Sequence, residues 1–167
     1  MMSPVIRTLI FTVFVPGFWT VMMPYWRLPR GARPDVRGAG AAGGPLIAAG
    51  IALYCACAFW GFAVRGKGTP LPLDPPKRLV VEGPYRVVRH PMYWSVASVM
   101  LGEAAVFHSV ALFKLVAAFA VGVILFVLFV EEPALKQKFG AEFEEYCRQV
   151  PRWIPRVPIR LSKRGAR

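Results

Sequence analysis

Residues 91–130 read PMYWSVASVM LGEAAVFHSV ALFKLVAAFA VGVILFVLFV, and this stretch is apolar apart from Glu103, His108 and Lys114. As one helix it would rise about 60 Å at 1.5 Å per residue, about twice the hydrocarbon thickness of a bilayer. It is therefore two antiparallel spans, with the turn near His108 and Ser109. Glu103 and Lys114 then fall toward the far interface, where charge costs less than at the bilayer centre. The other reading of Glu103 is a polar group buried within the bundle, because intramembrane carboxylates are often functional.

The rest of the chain agrees with a membrane setting. Of its 167 residues, 56% are hydrophobic and only 18% charged, too apolar a balance for a water-soluble domain of this size. No charge interrupts the sequence between Arg7 and Arg27, which is long enough for a first span despite Pro16, Gly17 and Pro24. Those residues predict a kink and an early exit. With no small-residue cleavage pattern before Arg27, this is expected to be a retained span and not a removed signal peptide. A Gly-, Ala- and Arg-rich loop follows over 27–44, then a second uncharged run over 45–64.

From Arg65 to His90 the chain turns proline-rich, with Pro70, Pro72, Pro75 and Pro76 followed by Gly83 and Pro84. Each proline denies its predecessor the helical region, so this segment is an extended or turned loop, of a length that usually marks function. At the other end of the hairpin, Pro133 follows Glu131 and Glu132. Beyond it Leu135, Phe139, Phe143, Tyr146 and Val150 recur at spacings of three and four. That spacing predicts an amphipathic surface helix, weakened in its middle by Gly140 and supported by Glu132–Lys136 and Glu144–Arg148 pairs. Pro151, Arg152, Trp153 and the basic tail read as an interfacial anchor.

The expected architecture is thus an all-α polytopic membrane bundle of about four transmembrane helices plus a C-terminal amphipathic interfacial helix. Residues 1–64 form two N-terminal spans with their loop. Residues 65–167 form the proline loop, the hairpin 91–130, the amphipathic helix and the tail. Four spans put both termini on one side, and the basic loop and tail place that side in the cytoplasm. The excess of 21 Lys and Arg over 9 Asp and Glu is accounted for by this orientation and by anionic lipid, without nucleic acid as a partner. Three cysteines and two histidines give no disulfide framework and no metal-ligand spacing, so no metal is expected.

The hairpin itself sets base beside acid: Arg89 and His90 stand at its mouth, and Glu131 and Glu132 close it. Ordinary paired interfacial charge would also give such residues. The wording is more specific. Gly68 to Pro76, then Gly83-Pro84-Tyr85-Arg86-Val87-Val88-Arg89-His90-Pro91-Met92-Tyr93, and finally Glu131-Glu132 with Phe139-Gly140 and Tyr146 to Pro151, closely resemble the isoprenylcysteine carboxyl methyltransferase and phospholipid methyltransferase family. The resemblance covers about residues 64 to 155.

The resemblance implies a membrane enzyme that transfers a methyl group from S-adenosylmethionine to a lipophilic acceptor by in-line displacement. It carries cofactor binding onto Arg89, His90, Pro91, Tyr93, Glu131 and Glu132. Tyr85 joins them as an aromatic face for the sulfonium. Glu131 and Glu132 are also the candidate catalytic carboxylates, because an amine acceptor must lose a proton and Glu131, Glu132 or His90 would take it. Ser95 stands where family members often carry glycine. Gln149 occupies the position at which some relatives grip an acceptor carboxylate with arginine, and Arg148, one residue earlier, or Arg152 is the candidate substitute. The competing class is a noncatalytic membrane scaffold whose basic tail binds anionic lipid, which would need the basic residues but not His90, Tyr93 and Glu132.

Overall fold

The structure, a computed structural model, describes residues 4–58 and 78–156. The proline stretch over 68–76, the end of the second apolar run and the last residues of the tail lie outside the described residues. Those described form helices and connections, with no strand among them. The helices are α1 (Pro4–Phe14), α2 (Met23–Arg27), α3 (Gly43–Cys55), α4 (Pro91–Val106), α5 (Val110–Phe126), α6 (Glu132–Phe139) and α7 (Ala141–Gln149).

Among the described residues, three helical stretches are long and apolar enough to cross a membrane: Leu9–Arg27, Gly40–Ala58 and Val110–Phe139. The fourth expected span, α4, has 16 residues and a rise of about 24 Å, short of the roughly 30 Å core. The hairpin is divided unequally because its second limb runs on through a π-helical turn, Val127–Glu131, into α6. The first span departs from regular α-helix beside its prolines. α1 stops at Phe14, and beyond Pro16 the backbone widens into a π-helical turn at Phe18–Met22.

The hairpin turn falls where the sequence places it. α4 ends at Val106, His108 takes a positive φ of 46°, and the Ser109 hydroxyl caps α5 by accepting from the Leu112 amide. The loop between the first two spans is fastened to this turn. The Asp35 amide donates to the Val106 carbonyl at 2.8 Å, and the Asp35 carboxylate meets His108 Nε2 at 2.9 Å while accepting from the Gly38 amide at 2.7 Å. Both interhelix turns therefore sit at one end of the bundle.

Helices α3 and α4 pack antiparallel with their backbones in close approach. A Cβ on Gly43 would lie 2.4 Å from the Gly102 carbonyl oxygen, and one on Gly50 would lie 2.6 Å from that of Ser95. Small residues of this kind let helices meet where apolar lipid gives no hydrophobic drive to association. Tyr54, Met92, Met100, Leu112 and Phe119 fill the buried core, and Trp19 from the first span sets its ring edge-on to Phe119. The outer surface stays apolar, with Phe14 and Phe129 74% and 73% exposed.

The predicted amphipathic helix is two helices, α6 and α7, separated at Gly140, whose φ of +52° only glycine adopts readily. Phe143, Tyr146 and Val150 are buried, with Leu135 and Phe139 packed on them, and Leu79 and Val81 cover the same cluster. Glu132 turns to Arg89 and Arg152, Lys136 pairs with Glu144, and Arg148 pairs with Glu145. The break at Gly140 brings Lys136 and Glu144 together across the two helices in place of the expected pairs.

Candidate active site

Pro91 opens α4, where its missing N–H costs nothing, and leaves His90 just outside the helix. The π-helical turn at the end of the second limb shifts Glu131 and Glu132 so that both face His90. His90 Nδ1 lies 3.3 Å from Glu131 Oε1 and Nε2 lies 3.2 Å from Glu132 Oε1. The imidazole is buried, at 4% exposed. Burial alone would lower its pKa, but hydrogen bonds and charge from both carboxylates outweigh that and raise it above 6.5.

Glu132 is the hub of the cluster. Its Oε1 accepts from Arg89 Nη1 at 2.8 Å and from Arg152 Nε at 2.9 Å, and its Oε2 accepts from Arg152 Nη2 at 2.6 Å. The fork of Arg152 thus grips both oxygens, and this carboxylate raises the arginine's own pKa further. Tyr93 donates to Glu131 Oε2 at 2.5 Å. Arg89 also places Nη1 2.9 Å from Cys147 Sγ, while its Nε is buried with no partner.

The returning chain completes the arrangement. The Arg89 amide donates to the Pro151 carbonyl, and Trp94 Nε1 donates to the Trp153 carbonyl. The Trp153 ring lies 5.4 Å from that of His90. Tyr146 reaches from α7 to donate to the Tyr85 carbonyl at 2.7 Å. Tyr85 itself is buried beside Cys57, and burial pushes its hydroxyl pKa well up.

Of the residues singled out in the sequence, Arg89, His90, Pro91, Tyr93, Glu131 and Glu132 come together. Tyr85 lies in the core beneath them. Arg148 points its guanidinium to Glu145, with contacts of 2.6 and 3.0 Å, and stands exposed on the rim. The position adjoining Glu132 belongs to Arg152, which the resemblance makes a candidate grip for an acceptor carboxylate beside Arg148 and which otherwise reads as part of an anchor. Trp153, read as part of that anchor, packs on His90. Nothing in residue type or spacing distinguishes either from an interfacial residue; the turn after α7 aims them inward.

Residues of the cluster line two separate recesses. An open groove of about 590 Å³ is lined by Arg89, Glu132, Lys136, Cys147, Arg148 and Arg152. A pocket of about 320 Å³ between α4 and α5 is almost wholly apolar and is lined by Tyr93, Trp94, Ala97, Phe119, Val123 and Trp153. His90 touches residues of both.

Residues 41–142 match the phospholipid methyltransferase family. The chain belongs to this family. The match takes in α3, α4, α5 and the Glu131-Glu132 pair, hence most of the site just described. Protein-S-isoprenylcysteine O-methyltransferase B of Arabidopsis thaliana is a relative, 34% identical over 90 residues, which cover 48% of this chain. The chain spans 41% of the length of that relative. No solved structure matches this phospholipid methyltransferase family member.

Proposed function

We propose that this chain is an integral membrane methyltransferase, with S-adenosylmethionine as donor and a lipophilic molecule as acceptor. The observation that carries the reading is that the cluster around His90 contributes Arg89, Glu132 and Arg152 to a charged groove and Tyr93 and Trp153 to an apolar pocket, which suits a polar cofactor in the one and an apolar acceptor in the other. On this reading α4 is a fourth, short span, and the cluster, the proline loop and the C-terminal segment share the cytoplasmic face. Residues 65–167 are the catalytic half, and residues 1–64 are the packing partner that supplies α3.

The side chains present fit the donor. S-adenosylmethionine carries a carboxylate, an amine, a ribose diol and a sulfonium, and so asks for both acceptors and donors at its site. The buried Nε of Arg89 has no partner and is free to meet the carboxylate. Glu131 accepts from the amine or diol, and Tyr93 turns an aromatic face toward the cation. When bound, the group supplies an electrophilic methyl carbon open to in-line displacement, with S-adenosylhomocysteine as the product.

The protein's part is to hold, align and keep dry. Glu132 fixes Arg89 and Arg152, and Pro91 sets where His90 leaves the helix. Tyr85 anchors α7 through its carbonyl. His90, between two carboxylates, orients both, and Glu131 is the proton acceptor if the nucleophile is an amine. Arg148 on the rim draws an acceptor's negative group toward the groove. Alignment of two reactants is itself a large source of rate, with effective molarities that reach about 10⁵ M.

The test is calorimetric binding of S-adenosylmethionine and S-adenosylhomocysteine to the full chain in nanodiscs. Saturable binding is expected in the wild type, with loss in Glu132→Ala and His90→Ala while both variants still insert. No binding by folded wild type, or full affinity in both variants, overturns the reading.

A further inference from the structure

A second polar recess lies on another face of α4, apart from the cluster at His90. It is a groove of about 350 Å³ between the first span, α3 and α4, and its lining includes Thr12, Thr20, Ile51, Tyr54, Ser95 and Glu103. Ser95, Val99 and Glu103 are four apart and so share one face of α4. The groove runs beside Pro16 and Gly17, where the first span changes to its wider π-helical turn.

The polar groups of this groove are unequally served. The Thr20 hydroxyl donates to the Pro16 carbonyl at 2.9 Å, and that of Ser95 donates to the Met92 carbonyl at 2.5 Å. Thr12 and Tyr54 are bonded to each other at 2.8 Å. Glu103 Oε2, by contrast, is buried with no partner. Among the described residues no Lys, Arg or His lines the groove, so no described side chain in its wall balances this carboxylate. A carboxylate in such a segment is costly unless a donor or a cation meets it.

We propose that this groove binds the ammonium head of a single-chain lipophilic amine, with Glu103 as its counter-ion. Charge complementarity selects the head. A long-chain alcohol would give Oε2 a donor but leave the charge unbalanced, and a zwitterionic phospholipid would bring a phosphate for which the wall has no cation. The chain leaves past Ile51, which is 53% exposed on the lipid-facing side. This inference rests on the chain spanning a bilayer and is independent of methyl transfer.

The experiment is saturable binding of radiolabelled dodecylamine to the full chain in nanodiscs, with empty nanodiscs as background and dodecanol and dodecanoate as competitors. The amine is expected to bind, with neither competitor displacing it. Glu103→Gln weakens binding about tenfold or more, as the loss of a charge-assisted bond to a desolvated partner requires. Ile51→Trp, which fills the groove from its outer wall and leaves the carboxyl in place, weakens it as well. The unfolding midpoints of both variants and their binding of S-adenosylhomocysteine stay at wild-type levels. Binding no greater than to empty nanodiscs, displacement by dodecanol as effective as by the amine itself, or undiminished affinity in a folded Glu103→Gln overturns the proposal.

Discussion

His90 lies between Glu131 and Glu132, and its charge state sets how firmly the cluster is held. Its folded pKa lies above the ordinary 6.5, so the stabilisation from its charged form is fully present below that value and is lost as pH rises through the folded value. As pH rises from below 6.5 through the folded value, the wild type should therefore lose unfolding stability relative to His90→Gln. Denaturant midpoints of the two proteins in nanodiscs, taken across that range, check this, and a constant difference between them would contradict it. That His90, Tyr93, Glu131 and Glu132 come together was legible in the sequence, because they stand at the two ends of one hairpin. Arg152 was legible as a candidate grip for an acceptor carboxylate but its pairing with Glu132 was not, since an arginine after Pro151 looks the same whether it snorkels to lipid or turns inward.

Among the elements, the contact between α3 and α4 is the most demanding. A Cβ on Gly102 would lie 2.6 Å from the Gly43 carbonyl oxygen and 2.6 Å from Ile47 Cγ1. Gly102→Leu should force the two helices apart and cost about 1–3 kcal/mol or more. Gly44→Leu is the matched control, because a Cβ there meets nothing within 4 Å. Comparing the thermal midpoints of the two variants decides the matter, and equal losses would show that the close approach carries no weight. The sequence marked α3 as an apolar run, but which of its glycines face a neighbour depends on the rotation of one helix against another. The hairpin turn was easier to read, since an apolar run too long for one crossing has to reverse, and Ser109 supplies a cap.

On the scale of the whole molecule, the loop carrying Asp35 and the turn at His108 are joined at one end, and His90, Glu132 and Arg152 gather near the other. If the bundle crosses the bilayer as proposed, these ends are on opposite faces. A cysteine placed at Val36, in a chain whose own cysteines are replaced by alanine, should react with a membrane-impermeant maleimide only from the outer face. One placed at Glu145 should react only from the cytoplasmic face. Labelling of both from the same side of sealed vesicles would require another topology.

The sequence alone determined that this is a helical membrane protein, that its long apolar run folds back on itself, and that acid and base meet at the mouth of the resulting hairpin. Composition and run length suffice for this, because an apolar segment has few ways to satisfy its backbone away from water. Tertiary structure decided that α4 is short, that the surface helix breaks at Gly140 and spends its apolar face on Leu79 and Val81, that Arg152 turns to Glu132 and that Trp153 packs on His90. Those outcomes depend on contacts between segments distant in the chain, such as the Arg89 amide on the Pro151 carbonyl. Local pattern carries no record of which partner a side chain meets once helices have packed and set their rotation.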